Sequence, residues 1–208
     1  MAAGTSTITA TQGAVTGNTL LTVTPPTNLI SNGSFELPNL GPAGTIVYVA
    51  GGDTGTIPSW NVVGSVNGNV GQIRGPLSFA GITTTAQEGS QFADLTGTND
   101  LNHISNMALE QTISTTTGTS YTLAFYLGNN NGGGLNGTTS TVIAKVNGNT
   151  LFTAVNNQFN NDGTTKWVLF TGNFQATGTS TVISLQCGDP DTDTTDFIDN
   201  VSVTPTNT

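Results

Sequence analysis

Ser120-Tyr-Thr-Leu-Ala-Phe-Tyr-Leu127 is the stretch that decides the fold. Its large apolar side chains fall on Tyr121, Leu123, Phe125 and Leu127, with Thr122, Ala124 and Tyr126 between them. A period of two sends one set to one face of a strand and the other set to the opposite face. The same alternation continues outward at 108–114, 91–96, 45–50 and 19–24 upstream, and at 141–146, 151–155, 167–176, 180–186 and 197–204 downstream. Asn147-Gly148, Asp162-Gly163 and Thr177-Gly178 punctuate these runs with turn chemistry. Helical spacing is confined to 99–109, where Asn102, Ile104 and Asn106 limit it to one or two turns. Many short strands with such turns predict an all-β chain folded as a two-sheet antiparallel jelly-roll β-sandwich.

Composition narrows the function classes. The 208 residues carry 3 Lys+Arg against 12 Asp+Glu, a formal charge of −9, and only 7% of them are charged, against ~25% in an ordinary globular protein. Three scattered cations cannot form the basic stripe that displaces counterions from a nucleic acid, nor a polybasic membrane anchor. No window approaches 18 consecutive apolar residues, so no helical membrane span is expected. The recurring apolar runs argue against disorder. These features suggest a soluble, acidic, extracellular β protein on a bacterial surface. Met1-Ala2-Ala3 has neither the charged start nor the apolar core of a signal peptide.

Cys187 is the one cysteine, so no disulfide within the chain is possible. It closes the run 182–187 and reads as a buried strand residue. A catalytic thiolate would need a base, and the one histidine, His103, reads as a polar loop residue. The run 128–137 is a Gly/Asn-rich mobile loop; it has neither the Lys nor the following helix of a phosphate cradle. Gly188-Asp-Pro-Asp-Thr-Asp-Thr-Thr-Asp196 is acidic but lacks the later Glu and the sixth-position Gly of an EF-hand. A solvated loop is the preferred reading; a second calcium or a ligand-contacting loop is the alternative.

Residues 1–24 read as two alternating strands around a Gly/Asn turn, ended by Pro25-Pro26, since proline has no N–H for a ladder. This stretch resembles the last hairpin of a bacterial immunoglobulin-like surface domain. The resemblance implies a remnant of a domain array, with 25–27 as linker. The alternatives are that the hairpin belongs to the main domain or pairs with a neighbouring molecule, because an isolated hairpin cannot bury its apolar face alone.

From residue 28 a series of motifs runs in order: Asn28-Leu-Ile-Ser-Asn-Gly-Ser-Phe-Glu36, Ile57-Pro-Ser-Trp60, Glu88-Gly-Ser-Gln-Phe-Ala-Asp-Leu95, Leu109-Glu-Gln-Thr-Ile113, Gly118-Thr-Ser-Tyr-Thr-Leu-Ala-Phe125, the run 167–174 and Phe197-Ile-Asp-Asn-Val-Ser-Val203. The series resembles the galactose-binding-like jelly rolls of bacterial choice-of-anchor surface proteins, the related plant cell-wall family and, more distantly, carbohydrate-binding modules. It covers residues 28–205, leaving 206–208 as a tail. The resemblance implies that the first strand lies near the last, bringing Glu36 and Asp199 together. Two neighbouring carboxylates repel unless a cation or proton joins them. A structural calcium held by Glu36 and Asp199, with Asn32 and Ser34 as carbonyl donors, is therefore expected; otherwise both acids are exposed strand ends.

Parity places Tyr126 opposite its apolar neighbours, and Phe92 and Asp94 opposite Ala93 and Leu95. Tyr126, Phe92 and Asp94 could then line an exposed concave sheet as a sugar site, unless a second layer covers it. Trp60 is a further sugar-stacking candidate, although the resemblance implies packing roles for Trp60 and Trp167. With no G-x-S-x-G and no carboxylate pair left for glycosidase chemistry, an enzyme is not expected. The resulting expectation is a non-catalytic, calcium-stabilised carbohydrate-binding or adhesion module of an extracellular bacterial surface protein. Its partners would be a polysaccharide or glycan, with neighbouring domains or subunits through residues 1–24. The alternative is a structural spacer or self-assembling domain joined through its N-terminal strands.

Overall fold

The computed structural model describes residues 4–79, 81–97, 106–130, 138–158, 162–189 and 195–206. The chain opens with strands β1 (Gly4–Gln12) and β2 (Val15–Val23), followed by β3 (Ile46–Ala50), β4 (Asn61–Val63) and β5 (Asn69–Arg74). Next come β6 (Leu77–Phe79), β7 (Ile82–Thr84), β8 (Gln91–Asp94), β9 (Ala108–Ser114) and β10 (Ser120–Asn129). β11 (Ser140–Val146), β12 (Asn149–Asn156), β13 (Lys166–Gln175), β14 (Ser180–Cys187) and β15 (Phe197–Pro205) complete the order.

Two antiparallel sheets form the sandwich. One has the order β13-β10-β15-β8-β5-β3 and the other β12-β11-β14-β9-β4. β10 shows why the sequence builds it: Tyr121, Leu123, Phe125 and Leu127 are all buried, whereas Thr122, Ala124 and Tyr126 are only half-buried. Ile183, Leu185 and Cys187 of β14, and Leu109 and Ile113 of β9, meet them from the facing sheet. Cys187 thus occupies the interior expected of it, and burial, with Asp196 nearby, pushes its thiol far up from the ordinary range.

The opening motif closes the sandwich beside the last strand. Leu29 N donates to Val203 O at 2.8 Å and Val201 N to Gly33 O at 2.9 Å. Gly33 is required there, because a Cβ would lie 2.1 Å from the Val201 carbonyl oxygen. Trp60 is fully buried, 5.6 Å from the Phe35 ring, and its Nε1–H donates to Asn32 O. Its interior position matches the packing role over the sugar-stacking one.

Alternation does not mark β4, β5, β6 or β7. In β5 the reason is burial on both faces: Val70 joins the main core while Ile73 joins a second cluster. Between them Gln72 is turned inward, where Nε2–H donates to Phe35 O at 2.7 Å and Leu37 O at 3.0 Å. The helical turns expected at 99–109 do not extend to its end, since Ala108 already begins β9; residues 98–105, with His103, lie outside the described residues. So do 131–137 of the Gly/Asn run, whose first residues belong to β10, and 190–194 of the acidic stretch.

β1 and β2 pair only with each other, as a two-stranded ribbon. Every residue of both strands is exposed.

Candidate active site

The outer face of the six-stranded sheet carries two buried carboxyls, Asp94 and Asp199, among aromatic side chains. Cross-strand pairing places Trp167, Gly128, Phe197, Asp94, Gly71 and Tyr48 in one row across it. The adjacent row holds Leu169, Tyr126 and Asp199, with Phe92, Ile73 and Ile46 further along. The parity that separates Phe92 and Asp94 from Ala93 and Leu95 is the parity of this face: Ala93 and Leu95 lie in the main core.

This face is covered rather than open. Ile73, Phe92 and Phe197 form a second buried cluster, packed by Ile46, Leu77, Ala86 and Trp167. Phe92 meets Phe197 edge to face at 5.1 Å and Trp167 at 6.0 Å. Such edge-to-face pairs contribute about 0.5–1.5 kcal/mol beyond burial. The indole of Trp167 lies over Gly128, where a Cβ would come 2.9 Å from its ring. The covering segment is tied down by Trp167 Nε1–H to Thr85 O at 3.1 Å, and by the Thr84 and Thr165 hydroxyls at 2.6 Å. Thr83 N also donates to Gly163 O.

Two carboxyls of raised pKa stand on this face. Asp199 is fully buried, and burial pushes its pKa up to about 7 against the pull of its donors. Its Oδ2 accepts from Gln87 N at 2.7 Å and Glu88 N at 2.9 Å, and its Oδ1 from Asn200 N at 2.7 Å. Asp94 is 6% exposed and burial lifts it to about 6. Three donors converge on its Oδ1: Thr96 Oγ1 at 2.6 Å, Thr96 N at 3.0 Å and Asp196 N at 3.3 Å. Beyond it, at the loop end of the sheet, Asp196 is held well above the carboxylate range by burial and by the neighbouring Asp189 carboxyl. A buried acid that holds its proton near neutral pH is a group suited to proton transfer.

Glu36 and Asp199 meet the same turn by different routes. Glu36 Oε1 accepts from Ser90 N and Gln91 N, both at 2.7 Å, while Asp199 takes the amides just before them. Backbone N–H groups of one turn thus bind both carboxylates. Ser34 Oγ donates to Glu88 Oε2, and Asn32 binds backbone at Leu37 and Pro58 while its carbonyl accepts from Trp60. Among the described residues no three His, Cys, Asp or Glu side chains group as a metal site.

The residues sequence reasoning missed are Phe197 and Trp167 as partners of Phe92, and Asp199 as an acid of this face. The available signal was parity: Phe197 and Asp199 alternate with Ile198 as Phe92 and Asp94 do with Ala93.

A family model described as HpiC1-like, HpiC1 cyclase, matches residues 26–201. No curated protein matches. The chain is similar to the Stig cyclase FisC from Fischerella sp. TAU, solved with (3Z)-3-(1-methyl-2-pyrrolidinylidene)-3H-indole. The TM-score is 0.58 at 20% identity, covering 86% of this chain and 96% of that one. A Fischerella sp. TAU cyclase solved with 4-(1H-indol-3-yl)butan-2-one gives a TM-score of 0.54 at 21% identity, covering 86% and 98%. A CBM4 structure gives 0.41 at 20% identity, covering 85% and 99%.

These findings correct three expectations. The family is the HpiC1-like one, not the choice-of-anchor domains, although the β-sandwich itself is as expected. The non-catalytic carbohydrate-binding or adhesion role, and the alternative of a spacer or self-assembling domain, give way to a cyclase family. So does the expectation that the chain is not an enzyme. The physical reason is that the sequence has neither a nucleophile-elbow motif nor a glycosidase carboxylate pair, the features by which an enzyme would be legible. Buried, proton-holding carboxyls among aromatic rings leave no short motif.

Proposed function

The chain belongs to the HpiC1-like cyclase family, and from that premise we propose that it is a cyclase-type enzyme working by proton transfer on the outer face of its six-stranded sheet. One observation carries the reading: Asp94 and Asp199, lifted to about 6 and about 7, share that face with Phe92, Phe197, Trp167 and Tyr126. Ring closure in an unsaturated substrate starts when an acid protonates it and ends when the cation loses a proton, so substrate and product are isomers. An acid whose pKa lies near the working pH serves both steps. Aromatic faces stabilise the positive charge between them. The carboxyl that has given up its proton takes one back at the end.

The substrate class is an apolar, unsaturated aromatic compound. The indole ligands of the Fischerella cyclases make a 3-substituted indole the first probe. Entry requires the segment around β6 and β7 to part from the sheet, which breaks the Trp167 Nε1–H to Thr85 O bond and the Thr84–Thr165 hydroxyl contact.

The test is an amide-resolved NMR titration with 4-(1H-indol-3-yl)butan-2-one. Shifts centred on the Gln87 and Glu88 amides and the Trp167 indole N–H support the reading. Saturation without shifts there, or no shifts at all, counts against it.

A further inference from the structure

Asn130 is a buried polar side chain that the proton-transfer scheme does not use. It follows β10 with the parity of Tyr126 and Gly128, which places it on the outer face of the six-stranded sheet. Two residues, roughly 7 Å, separate it from Gly128, over which the Trp167 indole lies. Its neighbour Asn129 turns the other way, where Nδ2–H donates to Asn156 O at 3.1 Å. One step beyond the row of Trp167, Gly128, Phe197 and Asp94, each strand carries a polar residue: Thr165, Asn130, Thr195 and Thr96.

Asn130 is 1% exposed. Its backbone oxygen accepts from Thr195 Oγ1 at 3.3 Å, and its side-chain Nδ2–H donates to Thr84 Oγ1 at 3.4 Å, beneath the covering segment. The side-chain oxygen Oδ1 is buried with no hydrogen-bond partner among the described residues. A buried acceptor without a donor is costly to keep. On the face of a site it marks the group that a ligand would supply.

We propose that Asn130 sets the substrate specificity of this face, its Oδ1 accepting a hydrogen bond from the ring N–H of an indole seated among Phe92, Phe197 and Trp167. The inference rests on the cyclase reading and adds to it the side chain that recognises the heterocycle. Complementarity selects the ligand. The carboxyls of Asp94 and Asp199 hold protons to give and require a π system that can take one. Asn130 Oδ1 can only accept, so it requires a donor. The three rings require a flat apolar body. An indole meets all three demands: it has one N–H, no competing acceptor on its ring and an electron-rich π face.

The test is calorimetric titration of the full chain with 4-(1H-indol-3-yl)butan-2-one and with its benzofuran counterpart, in which a ring oxygen replaces the N–H. The wild type is expected to bind the indole about tenfold or more tightly than the benzofuran. Asn130→Leu keeps the branching of the side chain and removes the acceptor, and should bring the two affinities within about twofold of each other. A second measurement needs no substitution: in the wild-type complex the ligand's ring N–H should show a nuclear Overhauser contact with the Asn130 carboxamide protons. Equal wild-type affinities, the result if a trapped water already serves Oδ1, overturn the assignment and leave the cyclase site standing. So does a bound ring N–H without that contact, or an Asn130→Leu variant that keeps the wild-type ratio. Failure of both compounds to bind the sheet face overturns the cyclase site and this assignment together.

Discussion

Stability should fall as pH rises, and Asp199→Asn should make that dependence shallower, with Asp94 and Asp196 still contributing in the same direction. The carboxyl of Asp199 sits at about 7 in the folded chain against an ordinary 3.8. The folded state thus binds a proton more tightly than the unfolded state, and unfolding releases it. The contribution is complete below 3.8, declines as pH passes from 3.8 to about 7, and is absent above. From pH 8 down to pH 5 the folded form gains about two decades of proton affinity over the unfolded form, roughly 2.7 kcal/mol at 1.36 kcal/mol per decade. Asp94, at about 6, adds about one decade, roughly 1.4 kcal/mol, in the same direction. Asp53 is lowered by its bonds to Gly55 and Thr56, so it is already ionised throughout this window and does not tilt it. The assay is urea unfolding at several pH values between 5 and 8. The asparagine variant loses stability overall, because its amide must face backbone N–H groups, so the informative quantity is the slope. A variant slope equal to that of the wild type, or a wild type that gains stability with rising pH, refutes the assignment.

Two further outcomes follow from the aromatic face. Phe92→Ala empties a fully buried ring site shared with Phe197 and Trp167 and should cost about 3–5 kcal/mol in chemical denaturation. Gly128→Ala should displace the Trp167 ring, because its Cβ would lie 2.9 Å from that ring; a cost of about 1–3 kcal/mol and a red-shifted tryptophan emission are expected.

The sandwich was legible where a strand has one buried face. β9 coincides with the alternating run at 108–114, and β10 extends its run by two residues. It was illegible where a strand is buried on both faces, as in β5, or is three residues long, as in β4, β6 and β7. Too few residues remain there to show a period. The site was legible by halves. Parity grouped Phe92, Asp94 and Tyr126 on one face, but nothing local told that β6, β7 and the 85–91 turn would cover it. The motifs suggested that Glu36 and Asp199 lie together, and in the structure each accepts from backbone amides of one distant turn. Backbone donors have no sequence signature.

The central claim is that Asp94 and Asp199 deliver protons for ring closure, and product analysis tests it most directly. The chain is incubated with 3-substituted indoles bearing an unsaturated side chain, and products are separated and weighed by mass spectrometry. The account predicts a new compound of unchanged mass, with turnover lowered about 100-fold or more in at least one of Asp94→Asn and Asp199→Asn. Isomerisation that proceeds at the wild-type rate in both variants would contradict it, as would a product of altered mass.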